Sequence, residues 1–376
     1  MKIISIVGAR PNFMKIAPFC RAVAKHPEIQ HILVHTGQHY DPQMSDSFFK
    51  ELNIPTPDIH LNIGSGSHAE QVGKTMIEFE KVVQHEKPDW IVVVGDVNAT
   101  CACSIVAKKE HVKLAHIEAG LRSGDIDMPE EVNRLVTDRL SDLLLTPDRI
   151  SNSNLIAEGV DSEKIAFVGN IMIDTLERQR DYASKLDINK LISDSLLFEQ
   201  KFPALEDDNF VVITMHRPSN VDNEQILSPV IDFLCDKVSL DYPIIWPIHP
   251  RAKKQLENFN LLEKVKKHII LLTPLGYNEM LRLNMGARLF LTDSGGLQEE
   301  CCVLGTPCLT MRWNTERPVT LRENGGASVL VGNSVDRIRI EYDGISSVKR
   351  IPQRPELWDG MTAERIISAI IDASKK

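Results

Sequence analysis

The stretch WIVVVGDVNATCACSIVAKK, residues 90–109, decides the fold of the first half of the chain. Five consecutive apolar residues lead into a polar turn, and a helical pattern follows the turn. An apolar run without polar alternation predicts a strand that is buried on both faces. A helix directly after such a strand predicts a crossover to a neighbouring parallel strand. The stretch therefore indicates an α/β fold.

The same alternation of strand and helix recurs along most of the chain. In the first half, further strands are predicted at KIISIV, HILVHTG, KLAHIEA, LLLTP and KIAFVG, and in the second half at FVVITM, IIWPIH, IILLTP, ARLFLTD, PCLTMR and ASVLVG. A looser polar region, residues 185–208, separates the two sets. We therefore predict two doubly wound Rossmann-like domains, residues 1–172 and 173–359, with a final helix in residues 360–376 that packs back on the first domain.

Composition and charge exclude several functional classes. The chain of 376 residues is 43% hydrophobic and 25% charged, as in soluble enzymes, and its formal charge of −9 argues against binding to nucleic acid or to anionic membranes. Its seven cysteines show no C-x-x-C spacing, so no metal site is expected. The N-terminal apolar run is too short for a signal peptide and no run is long enough to span a bilayer, so we expect a cytoplasmic protein.

The informative motifs lie where predicted strands end, which is where open parallel sheets bind ligands. In GARPNFMK, residues 8–15, Arg10 and Lys15 are either charges of a solvated turn or cations that bind an anion at a helix N-terminus. The motif is not G-x-G-x-x-G, so neither a nicotinamide nor any other cofactor is expected. In GDVNAT, residues 95–100, Asp96 is either the N-cap of the next helix or an acid with a chemical role.

Carboxylates crowd the loops that follow. Glu118 ends an apolar strand in HIEAGLR, where burying a charge is costly. Glu130 and Glu131 begin a helix in MPEEVNR, and the helix dipole is sufficient to explain one of them. Acids that converge from separate loops suggest acid–base chemistry.

The first strands of the second half end in basic residues. MHRPSN supplies His216 and Arg217, which can bind phosphate or transfer a proton, although a single histidine is more often structural. PIHPR repeats the pattern one strand later with His249.

The motif LTDSGGLQEE, residues 291–300, predicts a nucleotide site. We expect Ser294, Gly295 and Gly296 to bind a diphosphate at a helix N-terminus, because glycine lets a ligand approach the backbone closely. A glutamate one or two turns later, Glu299 or Glu300, can then accept hydrogen bonds from ribose hydroxyls.

Together, these motifs resemble one known family. GARPNFMK, GQH at residues 37–39, GDVNAT, HIEAGLR, PEEVNR, MHRPSN, LTDSGGLQEE and TERP occur in the order and at the spacing found in the non-hydrolysing UDP-N-acetylglucosamine 2-epimerases. The resemblance extends from residue 3 to about residue 340. It implies the GT-B architecture of two Rossmann-like domains, an active site in the cleft between them, a UDP-sugar as substrate and a homodimer.

The resemblance also implies roles for individual residues. The implied catalytic residues, in proton transfer or beside the diphosphate, are Asp96, Glu118, Glu130 and His216. The implied UDP-sugar contacts are Arg10, Lys15, Ser294, Gly295, Gly296, Glu300 and Arg317. The residues implied at a second, activating UDP-GlcNAc site are Gln38, His39, Arg217 and His249.

Three motifs depart from the familiar pattern of the family. T-R-P-E is replaced by A-R-P-N at residues 9–12, G-D-T by G-D-V at residues 95–97, and H-R-R-E-N by H-R-P-S-N at residues 216–220. These positions are implied near the sugar and near the activating site. Whether the activating site exists is therefore left open, and a modified UDP-2-acetamido sugar is an alternative substrate.

For inversion at C2 of the sugar we expect an elimination, because the C2 hydrogen is not α to a carbonyl. UDP leaves C1 while a carboxylate removes the C2 proton, and UDP adds back after protonation of the resulting 2-acetamidoglucal from the opposite face. Donors around the diphosphate would stabilise the departing charge. The alternatives are a GT-B glycosyltransferase, a hydrolysing epimerase and a non-catalytic sensor of nucleotide sugars.

Overall fold

The structure, a computed structural model, describes residues 1–8, 10–37, 49 and 51–375, without the side chains of Arg10, Pro11 and Ser346. Two compact units are formed, one by Met1–Arg178 with Pro355–Lys376 and the other by Gln179–Arg354. The division falls within the helix Ile171–Ser184, which also contains the boundary predicted at residue 172. None of the helices in the described part of the chain has both the length and the hydropathy needed to cross a bilayer.

The first unit is built on a parallel sheet of seven strands. The strands are β1 (Lys2–Val7), β2 (Gln30–His35), β3 (Ile59–His60), β4 (Trp90–Val94), β5 (Lys113–Ile117), β6 (Leu143–Thr146) and β7 (Ile165–Phe167). The helices are α1 (Arg10–Val23), α2 (His68–Glu86), α3 (Asn98–Lys109), α4 (Pro129–Leu140), α5 (Arg149–Ala157), α6 (Ile171–Ser184) and, from the end of the chain, α15 (Thr362–Ser374). All six predicted strands are present, and β3 is an additional edge strand.

The strand order of this sheet, β3-β2-β1-β4-β5-β6-β7, places its switch point between β1 and β4. Strand β1 pairs with β2 on one side and with β4 on the other, so the loops after β1 and β4 lead to helices on opposite faces of the sheet. Such a divergence opens a crevice at the carboxyl ends of the strands. Lys15 follows β1 and Asp96 follows β4, so both residues lie at this edge.

The second unit is built on a parallel sheet of six strands. The strands are β8 (Val211–Thr214), β9 (Ile244–Pro247), β10 (Ile269–Leu272), β11 (Leu289–Thr292), β12 (Cys308–Thr310) and β13 (Ser328–Leu330). The helices are α7 (Ile188–Ser195), α8 (Pro218–Val221), α9 (Glu224–Phe233), which continues through the π-helical Leu234–Val238 and the turn Ser239–Asp241, α10 (Pro250–Asn258), α11 (Leu262–His268), α12 (Tyr277–Gly286), α13 (Gly295–Leu304) and α14 (Val335–Asp343).

The order of the second sheet, β10-β9-β8-β11-β12-β13, repeats the arrangement of the first. Its switch point lies between β8 and β11, which are paired from Val211 and Leu289 to Thr214 and Thr292. The loops after these two strands carry His216 and Ser294. Both sheets therefore place predicted site residues at their switch points, and the prediction of two doubly wound α/β domains is confirmed.

Alternate residues along the strands of the second sheet enter two separate cores. Val211 and Ile213 of β8 belong to one hydrophobic cluster, whereas Val212 belongs to the other. Neighbouring strands follow the same rule, with Trp246 on one face and Ile245 on the opposite face. Both faces of the sheet are thus covered, which explains why its strands read as continuous apolar runs rather than as an alternating pattern.

The C-terminal helix α15 belongs to the first unit. It packs against α1, and its first turn is capped by Asp174, whose carboxylate accepts hydrogen bonds from the backbone N–H groups of Thr362 at 3.0 Å and Ala363 at 2.7 Å. At its other end, the Trp90 indole N–H donates to Ser374 Oγ at 2.8 Å. These contacts tie the last residues of the chain to the first sheet.

Candidate functional site

Glu118 occupies a strained, buried position at the carboxyl edge of the first sheet. It follows β5 directly and has a φ of 73°, a backbone conformation that residues other than glycine rarely adopt. Its side chain is 2% exposed and accepts an ion-paired hydrogen bond from Nζ of Lys15 in the second turn of α1. Strain of this kind costs of order 1–3 kcal/mol and clusters at functional sites. The Lys15–Glu118 pair is therefore a candidate catalytic pair.

Gly95 makes room for this pair at the end of β4. Its φ is 66°, and a Cβ atom there would lie 3.2 Å from Nζ of Lys15 and 3.3 Å from Oε2 of Glu118. Asn12 is the third neighbour of that position, at 3.5 Å, and its amide donates to the carbonyl of Val94 at 2.7 Å. Helix α1, which follows β1, and the loops after β4 and β5 thus meet at one point.

Asp96, the next residue, is held by helix α4. Both Nε and NH2 of Arg134 donate to Oδ2 of Asp96, at 3.0 and 2.8 Å, and Asn133 donates to the Asp96 carbonyl at 2.8 Å. Asp96 is not the N-cap of α3, because that position is Val97 and it makes no side-chain capping bond. The capping alternative is therefore wrong, and the carboxylate is positioned by an arginine instead.

The two glutamates at the start of α4 have different surroundings. Glu130 is exposed to solvent, whereas Glu131 is buried. Glu131 accepts hydrogen bonds from the backbone N–H groups of Ser123 at 3.0 Å and Gly124 at 2.9 Å, and it also binds Arg134. Glu131 therefore fixes the preceding loop, while the carboxylate of Glu130 is accessible at the N-terminus of the helix.

In the second unit, Asp293 organises the switch-point loops. Its Oδ2 accepts hydrogen bonds from the backbone N–H groups of His216 at 2.9 Å and Arg217 at 2.8 Å, and from the Asn220 amide at 3.1 Å. Burial raises the pKa of the Asp293 carboxyl, but His216 and the two backbone N–H groups outweigh burial and hold this pKa below its usual value. Asp293 is thus an ionised anchor for the loop after β8.

His216 is presented on this anchor. Its Nδ1 lies 2.6 Å from Oδ1 of Asp293, while 44% of its side chain remains exposed. Its ring lies against that of His249, with the centroids 5.8 Å apart, and the Arg217 Nε donates to the Asp293 carbonyl at 3.0 Å. Three of the predicted residues, His216, Arg217 and His249, are therefore brought together. An exposed imidazole backed by a carboxylate can donate a hydrogen bond or a proton to an anion.

Helix α13 begins at the predicted glycine pair. Ser294 is its N-cap residue and makes no side-chain capping bond, and its own backbone N–H donates to Oγ1 of Thr292 at 3.0 Å. A Cβ atom on Gly295 would lie 2.8 Å from NH1 of Arg317 and 2.9 Å from Oε1 of Glu316. Gly295 is thus needed because charged side chains pack against it. Gly296 is the second residue of the helix.

A buried, charge-balanced cluster supports the start of α13. Arg317 Nε lies 2.7 Å from Oε1 of Glu299, Arg317 NH1 contacts Glu316, and Arg312 NH2 donates to Glu316 at 2.6 Å. All four side chains are nearly inaccessible. Arg317 therefore lies beside the predicted diphosphate position while it neutralises two glutamates.

Glu300, the second glutamate of the motif, is fully enclosed. Burial raises the pKa of its carboxyl from 4.5 to about 7; Glu299 also raises this pKa, while Tyr277 and Asn284 act in the opposite direction. The carboxyl of Glu300 therefore changes its charge near neutral pH.

Three predicted residues lie wholly or partly outside the described part of the chain. Arg10 begins α1, but its side chain is not described. Gln38 and His39 lie outside the described residues. The remaining predicted site residues belong to the two units separately. The first unit holds Lys15, Asp96, Glu118 and Glu130, and the second holds His216, Arg217, His249, Ser294, Gly295, Gly296, Glu300 and Arg317.

The model of the UDP-N-acetylglucosamine 2-epimerase family matches residues 21–371 of the chain. The chain belongs to the UDP-N-acetylglucosamine 2-epimerase family. It is therefore an isomerase, and the family indicated by the sequence motifs is confirmed.

Relatives within the family match the chain over almost its whole length. It is 42% identical over 370 residues to a Methanocaldococcus jannaschii protein named UDP-N-acetylglucosamine 2-epimerase, with 98% of each chain covered. It is 38% identical over 376 residues to a Pseudomonas aeruginosa protein named UDP-2,3-diacetamido-2,3-dideoxy-D-glucuronate 2-epimerase, again with 98% of each covered. The crystal structure of the M. jannaschii UDP-GlcNAc 2-epimerase in complex with UDP-GlcNAc and UDP has a TM-score of 0.88 and 41% identity, covering 99% of this chain and all of that one.

Several residues of this epimerase that shape the site were not among the predicted ones. Asn133 and Arg134 hold Asp96, Asp293 holds His216, and Glu316 packs beside Gly295. Arg134 follows Glu131 at helical i,i+3 spacing, so the sequence did contain a signal for that pair. The contacts of Asp293 connect residues more than seventy positions apart, and local sequence carries no signal for them.

Proposed function

We propose that the protein is a non-hydrolysing UDP-GlcNAc 2-epimerase that interconverts UDP-GlcNAc and UDP-ManNAc. The observation that carries this proposal is the buried Glu118 carboxylate, held at a φ of 73° and paired with Lys15. Nζ of Lys15 contacts this carboxylate, and a positioned carboxylate can accept a proton. The M. jannaschii structure with UDP-GlcNAc and UDP supports the choice of substrate.

In the proposed reaction, the C1–O bond breaks and UDP departs with the electron pair. A carboxylate removes the C2 proton, and the electrons of the C2–H bond form the C1–C2 double bond of a 2-acetamidoglucal. The return steps add a proton to C2 from the opposite face and an oxygen of UDP to C1. Two faces require two acid–base groups, and we propose that they come from Asp96, Glu118 and Glu130.

We propose that the second unit binds the nucleotide. Ser294 and the backbone N–H groups of Gly295 and Gly296 lie at the start of helix α13, where the helix dipole favours a diphosphate. His216 would donate to the departing UDP, where negative charge develops. Glu300 would accept hydrogen bonds from the ribose. Arg10, Lys15 and Arg317 complete the proposed contacts.

Incubation with UDP-GlcNAc alone in deuterated water tests this function. We expect deuterium at C2 and an equilibrium mixture of UDP-GlcNAc and UDP-ManNAc. NMR and mass spectrometry measure both. A glycosyltransferase would give no exchange in the absence of an acceptor, and a non-catalytic sensor would give none at all. A hydrolysing epimerase would release free ManNAc and UDP. Any of these three results would refute the proposal.

A modified UDP-2-acetamido sugar is the second candidate substrate. It is favoured by the 38% identity with the P. aeruginosa protein named UDP-2,3-diacetamido-2,3-dideoxy-D-glucuronate 2-epimerase. A panel of UDP-2-acetamido sugars with substituents at C3 and C6, compared by kcat/KM for C2 exchange, distinguishes the two candidates. A preference for UDP-GlcNAc would exclude the second.

We also propose that the enzyme works in the cytoplasm as a homodimer. All seven cysteines are buried free thiols, as suits a reducing compartment, and the family resemblance implies the dimer. Light scattering coupled to gel filtration would give the mass in solution, to be compared with 42.3 kDa for one chain. An activating site that includes Gln38, His39, Arg217 and His249 stays a proposal, tested by whether UDP-GlcNAc accelerates conversion of UDP-ManNAc.

A further inference from the structure

His116 lies at the centre of a buried network beside the proposed acid–base residues. It belongs to β5, two residues before Glu118, and its side chain is completely inaccessible. Its Nδ1 lies 2.6 Å from Oδ1 of Asp138 in α4, and its Nε2 lies 2.9 Å from the carbonyl oxygen of Gly95. Both ring nitrogens therefore face oxygen atoms within hydrogen-bond distance.

The chemistry of these two oxygens fixes the protons on the ring. A backbone carbonyl can only accept a hydrogen bond, so Nε2 must carry a proton. Oδ2 of Asp138 accepts hydrogen bonds from Arg122 and from the backbone N–H of Gly120, and both contacts favour the ionised carboxylate, so Oδ1 can also only accept. Nδ1 must then carry a proton as well.

The surrounding charges balance a cationic ring. Asp138 Oδ2 accepts from NH1 of Arg122 at 2.7 Å, and Arg122 in turn donates from Nε and NH2 to the two oxygens of Glu158, each at 2.7 Å. With His116 protonated, the network holds two cations and two anions. A buried imidazolium in such a chain has every donor satisfied.

The network contacts the backbone on both sides of the proposed acid–base residues. The Gly95 carbonyl that His116 binds belongs to the peptide bond that leads into Asp96. Oδ2 of Asp138 also accepts from the N–H of Gly120, two residues after Glu118, at 3.0 Å. The loop after β4, the turn after β5 and helix α4, which carries Glu130, are thus connected through one His–Asp pair.

We propose that His116, held as an imidazolium by Asp138 and the Gly95 carbonyl, is a positioning residue that fixes Asp96, Glu118 and helix α4 relative to one another. This inference rests on the proposed function, because it concerns the geometry of that reaction. Displacement of reacting groups by about 1 Å can lower a rate by about 100-fold. Loss of the network should therefore lower kcat without weakening the binding of the nucleotide.

Two substitutions of His116 each retain one of the two hydrogen bonds of its ring. The amide of His116→Gln reaches the position of Nε2 and can donate to Gly95, and the amide of His116→Asn reaches the position of Nδ1 and can donate to Asp138; neither carries a charge. We expect kcat for C2 exchange to fall about 10- to 100-fold in each variant, with KM and the UDP dissociation constant unchanged. A folded variant with the kcat of the wild type, or with weaker UDP binding and normal kcat, would overturn the proposal.

His31→Gln is the matched control. His31 lies near the amino end of β2 in the same sheet, and its Nε2 lies 2.7 Å from Oγ of Ser5. This variant makes the same chemical change away from the carboxyl edge, so its kcat should equal that of the wild type. An equal fall of kcat in His31→Gln would show a general effect on the fold and would overturn the assignment to His116.

Nitrogen NMR of the wild-type chain, labelled with ¹⁵N-histidine, tests the charge without any variant of His116. From the two hydrogen bonds of the His116 ring we expect one histidine signal with a proton on each ring nitrogen. The signal of His216 is identified by its loss in His216→Gln. A spectrum in which every histidine except His216 is neutral overturns the inference. Wild-type protein that gives no C2 exchange overturns the proposed function instead, and the NMR result is independent of that assay.

Discussion

Arg134 donates from two nitrogen atoms, Nε and NH2, to a single oxygen of Asp96, at 3.0 and 2.8 Å. The third guanidinium nitrogen, NH1, binds Glu131. One buried cation thus holds two carboxylates, one in the loop after β4 and the other in the first turn of α4. Because the contact uses one oxygen of Asp96 and the Asp96 side chain is 24% exposed, the carboxylate is oriented while it stays accessible.

Replacement of Arg134 should therefore affect both stability and catalysis. Arg134→Met leaves two carboxylates without their cation, and we expect the free energy of unfolding to fall by about 3–5 kcal/mol. Arg134→Lys keeps the charge but not the planar geometry that reaches both partners, so its effect should be intermediate. Urea unfolding and C2 exchange measure the two effects.

The control for this series is Arg149→Met. Arg149 pairs with Glu356, but both side chains are more than half exposed, so the change in stability should be below about 1 kcal/mol. If Arg134→Met had the same urea midpoint of unfolding as the wild type, the proposed stabilising role of Arg134 would be wrong.

Glu118→Gln tests the proposed base directly. The substitution keeps the shape of the side chain but removes the charge, and one positioned acid–base group commonly contributes about 10²–10⁴-fold. We expect kcat for C2 exchange to fall by that factor while the affinity for UDP is retained. Isothermal titration with UDP and deuterium exchange provide the two measurements.

Glu163→Gln makes the same change at an exposed position of a 3-10 helix and should keep the wild-type rate. Normal exchange in Glu118→Gln would remove Glu118 from the chemistry, since no other change to the site is made.

Gly295→Ala should weaken nucleotide binding. The new methyl group would lie 2.8 Å from NH1 of Arg317 and 2.9 Å from Oε1 of Glu316, so the buried cluster has to shift. We expect the free energy of unfolding to fall by about 1–3 kcal/mol and the UDP dissociation constant to rise. Urea unfolding and calorimetric titration with UDP check both effects.

Gly73→Ala is the contrasting substitution. Gly73 lies inside α2, and an added Cβ would meet nothing within 4 Å. Alanine is favoured over glycine in a helix by about 1 kcal/mol, so this variant should be more stable than the wild type and bind UDP normally. Equal behaviour of the two variants would show that Gly295 has no special packing.

The sequence predicted the fold well because its strands are buried on both faces. Runs such as WIVVV and IIWP can form strands in two-sided cores, and their alternation with helices leaves few topologies. Strand β3 was missed because two residues carry no detectable period. Helix α1 begins at Arg10, directly before a proline, and a proline fits the first turn of a helix.

The site was predicted at the level of strand ends but not at the level of contacts. Asp96 at the end of β4 and His216 after β8 were identified because the carboxyl ends of parallel strands share one edge. Their partners, Arg134 and Asp293, were not identified, because the first approaches from a helix and the second follows β11, which neighbours β8 in the sheet but is distant from it in sequence. The split between the exposed Glu130 and the buried Glu131 depends on how α4 is rotated on the sheet, and the sequence gives no such angle.

The last prediction concerns pH and Glu300. In the folded protein, burial raises the pKa of this carboxyl to about 7, above the ordinary 4.5. Between these two values the folded chain keeps a proton that the unfolded chain has lost, so stability falls as pH rises through this window and is constant above it. The difference corresponds to about 3 kcal/mol. Glu300→Gln should remove this slope, as measured by urea unfolding at pH 5, 6, 7 and 8.

The same titration should be visible in nucleotide binding. Ribose hydroxyls donate preferentially to an ionised carboxyl, so UDP binding should release protons near pH 7 and the affinity should rise from pH 6 to pH 8. Calorimetric titrations in two buffers of different ionisation enthalpy give the number of protons released. The terminal phosphate of UDP also titrates at about pH 6, so in Glu300→Gln the release should decrease rather than disappear, whereas Glu163→Gln should keep the full release. An equal proton release in the wild type and in Glu300→Gln, with the stability slope present, would show that Glu300 is a buried structural acid and that the ribose is bound elsewhere.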